Sequence, residues 1–266
     1  MKPAFPFLLC CACCPLHAAV VFNQNFESFT AGTNLPSGNP LSGNNNAGSQ
    51  ILDDTTATPF GIGNKFLAIN GNLAAGTVNA SGLSATTIST HHFDLYEPTG
   101  ATATLTFGLG ASDLNNNTTT GAFTAWSINN GSITAASNTA LASGSLPVLT
   151  LDRHYKAFVL YNGSGETEVV SIPTGGTASL TSKQSALFFL DMTTGAYVDG
   201  GRYSHTQSVT LNSFKFRAFS NSKNEIYIDN FTRDNTLTLI PEPSLTVLLA
   251  GAGSVIARRR RRMPLD

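Results

Sequence analysis

Residues 101–107 read Ala-Thr-Ala-Thr-Leu-Thr-Phe, so Ala101, Ala103, Leu105 and Phe107 alternate with Thr102, Thr104 and Thr106. A period of two sends the two sets to opposite faces of an extended strand, and the β-branched threonines suit the wet face. The alternation returns in 213–218, where Phe214, Phe216 and Ala218 face Ser213, Lys215 and Arg217. It returns again in 225–229, with Ile226 and Ile228 against Glu225, Tyr227 and Asp229. Further strands are expected at Val20–Phe26, Lys65–Asn70, Ile88–Tyr96, Ala122–Ile128, His154–Tyr161, Thr167–Ile172 and Ala186–Met192. No segment repeats its apolar residues at helical spacing for ten residues or more.

Clusters of Gly, Asn and Ser punctuate these strands. Asn129-Asn130-Gly131 before Ser132 is a hairpin signal, and so is Asn162-Gly163. Gly32 to Ser49, Asn115 to Thr120, and the Gly- and Asp-containing stretch around Tyr197 and Tyr203 read as loops. About ten to twelve strands evenly spaced by turns suit an all-β, two-sheet antiparallel jelly-roll sandwich. There is no internal repeat and no second domain, which places one ectodomain at residues 20–238.

The two ends read differently from the body. Met1 to Ala19 has a positive Lys2, an apolar core from Phe5 to Cys14, and small residues at Ala18 and Ala19, the pattern of a secretory signal peptide. All four cysteines lie inside it, so the exported chain has no disulfides and depends on its core. Residues 239–266 hold Pro241, Glu242 and Pro243, an uncharged run from Ser244 to Ala257, then Arg258, Arg259, Arg260, Arg261 and Arg262. Prolines end β structure. An apolar helix satisfies its own backbone in lipid, and consecutive arginines stop transfer at the cytoplasmic face. The run is short: fourteen helical residues rise roughly 21 Å against a hydrocarbon core of about 30 Å. A marginal anchor of this kind suits a temporary membrane stop. Between the ends stand nine Lys+Arg and fourteen Asp+Glu, a net charge near −5 that argues against nucleic acid as a partner.

This C-terminal arrangement resembles the PEP-CTERM sorting signal of Gram-negative, exopolysaccharide-producing bacteria. The resemblance implies an exosortase-type processing enzyme as partner, a C-terminal hold in the inner membrane, and later release to the cell surface or extracellular space. A second resemblance lies in the body. Phe26-Glu27-Ser28-Phe29 with Gly32, the stretch His154 to Asn162, and Phe216-Arg217-Ala218-Phe219 leading into Ile226 to Phe231 are similar to the opening, central and closing strands of concanavalin A-like and laminin-G-like jelly rolls. In the carbohydrate-binding modules of this kind, an early acid and an aspartate of the closing strand often hold a structural calcium ion. That resemblance points to Glu27 and Asp229.

Candidate chemistry is sparse. Glycosidases use two carboxylates flanking the bond, but the Glu-x-Asp-x-x-Glu strand motif of the similar glucanases is missing. Glu225 with Asp229 and Glu166 with Glu168 share strand faces, and both pairs read more simply as solvated or structural acids. Arg202-Tyr203-x-His205 holds the residue types of a polysaccharide lyase, although a polar loop or a half-buried histidine accounts for it better. Asp113-x-Asn115-x-Asn117 starts like a calcium loop but has Thr118 and Thr124 where glycine and glutamate are required. Sugar binding needs flat rings with polar neighbours, which makes Trp126, Tyr197 and Tyr203 the candidate platform, with core packing as the competing reading. The expected function is non-enzymatic: an exported surface or extracellular-matrix protein, with extracellular polysaccharide as its ligand class. The alternative is a glycoside hydrolase or polysaccharide lyase on the same scaffold.

Overall fold

The computed structural model describes residues 20–36, 41–43, 49–55, 58–70, 77–80, 82–101, 104–110, 122–136, 139–172, 176–205, 210–219 and 225–239. The signal segment, the Pro241-Glu242-Pro243 motif, the apolar run, Arg258 to Arg262 and Asp113 lie outside these residues. No helix among the described residues is long and apolar enough to cross a membrane.

The chain runs through β1 (Val20–Gln24), β2 (Leu41–Gly43), β3 (Ser49–Asp53), β4 (Lys65–Asn70), β5 (Thr77–Ala80) and β6 (Ile88–Tyr96). Then come β7 (Thr104–Gly110), β8 (Ala122–Asn129), β9 (Ser132–Ala136), β10 (Thr139–Ser143), β11 (His154–Asn162) and β12 (Glu168–Ser171). The last are β13 (Thr177–Leu180), β14 (Gln184–Asp191), β15 (Tyr197–His205), β16 (Ser213–Phe219) and β17 (Glu225–Asp234).

These strands form an all-β sandwich of antiparallel sheets. The larger sheet has the order β10-β15-β14-β11-β6-β17-β4-β3, and β1 also pairs with β17, beyond the stretch that β4 takes. The smaller sheet has the order β2-β5-β16-β7-β8-β9, and β12 with β13 forms a separate two-stranded sheet. The inner faces meet over Phe93, Leu95, Val159, Leu187, Phe189, Ile226, Ile228 and Phe231 from the larger sheet. Leu105, Phe107, Leu109, Trp126, Phe214 and Phe216 answer from the smaller one. Phe231 is the hub: its ring stacks on Phe214 at 3.8 Å and lies 5.5 Å from Phe216 and 5.7 Å from Phe22.

A second apolar layer lies on the opposite, outer face of the larger sheet. Phe158 and Leu160 of β11 and Ala186 and Phe188 of β14 are covered by Val170, Ala178 and Leu180 of the β12–β13 pair. Both central strands are therefore buried on two faces. That is why they read as continuous apolar runs, Ala157 to Tyr161 and Ala186 to Leu190, and not as alternations.

The hairpin at Asn130-Gly131 forms as expected, with φ of 49° and 73°. Glu97 fastens it from outside the hairpin, its carboxylate accepting from Asn130 N at 2.6 Å and Gly131 N at 2.9 Å. Other expectations need correction. Asn162-Gly163 does not close a hairpin, because β11 pairs with β6 and β14, while β12 pairs with β13. Asn162 is instead a buried hub, its amide spanning from β11 to the turns around Glu166, Leu180 and Thr181. β16 and β17, the resembled closing pair, stand in different sheets. The stretch around Tyr197 and Tyr203 is a strand. Part of the supposed loop from Gly32 to Ser49 also pairs: residues 32 to 35 bond along β3 and cover that edge.

Candidate functional site

The three central strands β11, β6 and β17 lie side by side, and their register aligns outward residues in rows. One row is His154, Tyr96 and Tyr227; the next is Lys156, Asp94 and Asp229. Period two along each strand puts both rows on the outer face, beyond the edge of the second apolar layer. The first row is aromatic. Tyr96 and Tyr227 stack at 6.0 Å and 23°, and Phe66 meets Tyr227 edge-on at 5.1 Å. Phe60, from the loop before β4, stands edge-on to His154 at 5.0 Å and to Tyr96 at 6.5 Å. In the same loop Ile62 is 93% exposed.

The second row is a charge network. Asp94 Oδ1 lies 3.5 Å from both His154 Nε2 and Lys156 Nζ. Asn230 Nδ2 donates to Asp94 Oδ2 at 2.8 Å and to Asp229 Oδ2 at 3.2 Å, so one amide ties the two carboxylates together. Asn64 Nδ2 donates to Asp229 Oδ2 at 2.6 Å, and Asn230 N to Asp229 Oδ1 at 2.7 Å. A register shift between Asp229 and Thr232, with Asn230 at φ 49°, makes this geometry. Such bulges re-aim side chains, and asparagine tolerates the left-handed region.

The surroundings push the two carboxylates in opposite directions. Burial would raise the Asp94 pKa, but the contacts of His154, Lys156 and Asn230 outweigh it and hold the group below its usual value. Asp229 is pushed up to about 7, first by burial and then by the charges of Asp94 and Glu27, against the N–H bonds of Asn230 and Asn64. The folded chain thus holds the Asp229 proton more tightly than the unfolded chain, whose aspartates titrate near 3.9. Its contribution to stability is full below about pH 4, falls as pH rises towards 7, and is flat above that. Asp94 acts in the opposite window, its contribution being lost as pH drops below about 4. We expect the unfolding free energy to carry a loss of roughly 2–4 kcal/mol between pH 4 and 7 that Asp229→Asn removes. Denaturant midpoints across that range test it, and an unchanged slope in the variant would place the proton elsewhere.

Glu27 and Asp229 come near each other, as the calcium expectation requires, but both are engaged by N–H donors. Glu27 Oε1 accepts from Lys65 N at 2.9 Å, while Lys65 Nζ reaches back to the carbonyls of Glu27 and Phe29 at 3.1 and 2.8 Å. Both Asp229 oxygens accept from the asparagines. Among the described residues no group of three or more His, Cys, Asp or Glu could hold a metal ion. As placed, the two carboxylates accept N–H bonds and bring only part of the six to eight oxygens that calcium takes. Hydrogen bonds make the tie from the first strand region to the last.

The expected ring platform is overturned. Trp126 is 2% exposed on the inner face of β8, stacked on Phe107 at 6.3 Å and edge-on to Tyr203 at 5.4 Å. Tyr203 is fully buried, its hydroxyl donating to Gly200 O at 2.6 Å, and burial lifts its pKa to about 12. Tyr197 packs outward on Phe158 at 6.2 Å and donates to Leu239 O at 3.2 Å. A register shift opposite Ala186 and Phe188 turns β15 over between the two tyrosines, so they lie on opposite faces. Ordinary strand alternation divides the lyase trio. Arg202 lies over Phe188 at 4.6 Å on the outer face, whereas Tyr203 and His205 point inward, His205 stacked on Tyr161 at 5.0 Å. Glu166 is exposed in a turn and forms no acid pair with Glu168 in a cleft.

Tyr96, His154, Lys156, Asp94, Phe60 and Asn64 were not among the expected site residues. For Tyr96, Asp94, His154 and Lys156 the signal was the outward side of each strand's alternation, which already carried Tyr227 and Asp229; Phe60 and Asn64 come from the loop before β4 and have no such signal.

This fold is an all-β sandwich of antiparallel sheets, and solved structures are similar to it at the level of the fold alone. A sialidase is similar over 81% of this chain and 18% of its own length, with a TM-score of 0.50 and 9% identity. Lectin II from Ulex europaeus is similar over 82% of this chain and its whole length, with a TM-score of 0.48 and 8% identity. The VIP36 exoplasmic/lumenal domain, solved in a Ca2+/Man3GlcNAc-bound form, is similar over 77% of this chain and 86% of its own, with a TM-score of 0.47 and 7% identity. The chain spans less than a fifth of the sialidase, and that likeness shows the fold alone. No family model matches the chain, and no curated protein does.

Proposed function

We propose that this is an exported, non-catalytic surface or extracellular-matrix protein that binds polysaccharide on the outer face of its larger sheet. The stacked Tyr96–Tyr227 pair beside His154, Lys156 and Asp94 carries this reading. Half-buried rings on a rigid sheet offer an apolar platform, and adjacent charged groups supply the oriented hydrogen bonds that sugars require. Export rests on the signal-like Met1 to Ala19. The Pro241-Glu242-Pro243 motif with the apolar run and Arg258 to Arg262 supports a transient inner-membrane anchor, an exosortase-type partner, and a final place at the cell surface or beyond.

A glycan-degrading enzyme is the second reading. One observation favours it: Asp94 and Asp229 are neighbouring carboxylates whose environments push their pKa values apart, as an acid and its partner require. Against it, Asp229 is fully buried, with both oxygens bonded by Asn64 and Asn230. A glycan array probed with the purified full-length protein, with and without calcium, tests the binding reading. Tyr227→Ala, Tyr96→Ala and Lys156→Ala are each expected to weaken binding tenfold or more. Binding that survives all three would move the site off this face, and release of reducing ends or unsaturated products would support the enzyme.

A further inference from the structure

The β12–β13 pair does not complete the outer apolar layer alone. After β17 ends at Asp234, the chain turns across the outer face, and Leu239 is fully buried against the layer of Phe158, Leu160, Leu180 and Phe188. Leu237 packs against the same layer at the edge. Thr90 and Tyr197 pin the segment. Thr90 Oγ1 donates to Thr236 O at 2.7 Å and accepts from Thr238 N at 3.0 Å. The Tyr197 hydroxyl donates to Leu239 O at 3.2 Å. An extended Leu-x-Leu segment therefore lies in an apolar groove, with its polar backbone met by side chains of β6 and β15. It belongs to no strand, so it can open without disrupting either sheet. Ile240 and Pro241-Glu242-Pro243 follow immediately in the sequence.

We propose that residues 236–239 are a strap, docked in cis in this groove, that sets how readily a protease reaches the chain just beyond it. Proteases that grip substrate as an extended strand require main-chain groups on both sides of the scissile bond. With Leu239 anchored, the residues before Ile240 are available only when the strap opens, and cleavage there follows the open population. A product that retains residues 236–239 keeps its second apolar layer closed. The cellular consequence rests on the reading of Pro241-Glu242-Pro243 as a processing signal; the docking does not.

Purified full-length protein digested with proteinase K under native conditions, with fragments read by mass spectrometry, tests the docking. Tyr197→Phe keeps the ring and removes the bond to Leu239, and should speed cleavage within 235–243 roughly three- to tenfold. Leu239→Ser should speed it further, with rates elsewhere unchanged in both variants. Equal rates in all three proteins overturn the strap. The same variants, expressed in an exporting host, should lose the tail faster. If digestion responds as expected but changing Arg258 to Arg262 to serine leaves tail processing unaltered, the sorting reading fails and the strap stands.

Discussion

Phe231→Ala is expected to cost about 3–5 kcal/mol of unfolding free energy, the range for deleting a large buried aromatic side chain. Phe231 is 1% exposed and sits where the last strand of the larger sheet meets the smaller one. Its ring contacts Phe22, Phe93, Phe107, Phe214 and Phe216, so it joins β1, β6, β7, β16 and β17. Truncation leaves a void bounded by rigid rings on strands that cannot collapse independently, which puts the cost in the upper part of that range. Val169→Ala is the control: Val169 is 61% exposed, and its loss should fall within about 0.5 kcal/mol of zero. Urea titrations of the variants decide the matter. A loss below about 1 kcal/mol for Phe231→Ala would mean that the two sheets do not depend on this contact.

Asn162→Ala should cost about 3 kcal/mol or more through polar satisfaction instead of volume. The Asn162 amide is buried and donates to Glu166 O and Leu180 O at 2.9 Å each, and to Thr181 O at 3.2 Å. Its carbonyl accepts from Ser164 N at 2.9 Å and Ser164 Oγ at 2.6 Å. Alanine removes every one of these at once and strands the buried Leu180 carbonyl, which costs about 1–3 kcal/mol when left unmet, while each further lost bond adds about 0.5–1.5 kcal/mol. Asn162→Asp distinguishes this mechanism from lost packing. It preserves shape but cannot donate, so it should destabilise at least as much as alanine at neutral pH. An aspartate variant near wild-type stability would show that the donated bonds contribute little. Because these bonds fasten the β12–β13 pair, hydrogen exchange in Glu168–Leu180 should accelerate before the central strands do.

The strand class was legible because a half-buried strand must alternate. Residues 104 to 107 and 225 to 228 show the alternation in the chain and in the fold, whereas in 213 to 218 the polar set Ser213, Lys215 and Arg217 is buried as well. β11 and β14 were found for a different reason, their continuous apolar runs, but nothing in those runs said what covers the outer face. Seven strands of the fold carry no readable pattern in the sequence. β10, for example, is five small or half-apolar residues at a sheet edge, and β2 is only three residues long. Edge strands bury too little to impose a pattern. β15 reads as a loop in the sequence because Gly200 and Gly201 stand in it. Gly200 has no room for a Cβ against Leu187, and Gly201 adopts φ 91°. Both glycines serve the register shift inside a strand.

Trp126, Tyr197 and Tyr203 illustrate the limit at the level of the site. Aromatic composition told which residues were able to stack on a sugar, but which way they point depends on the parity of each strand, and one bulge reverses it. The chain by itself determined an all-β body, a disulfide-free core, a hairpin at Asn130-Gly131, and polar outward positions at Tyr227 and Asp229, because these follow from local periodicity and backbone sterics. Only the tertiary structure decided that Tyr227 meets Tyr96, that Asp229 shares an amide with Asp94, and that Glu97 holds a hairpin more than thirty residues away. Each of those depends on which strands become neighbours and in what register, and period two repeats identically in every strand of a sandwich, so it carries no label for its partner.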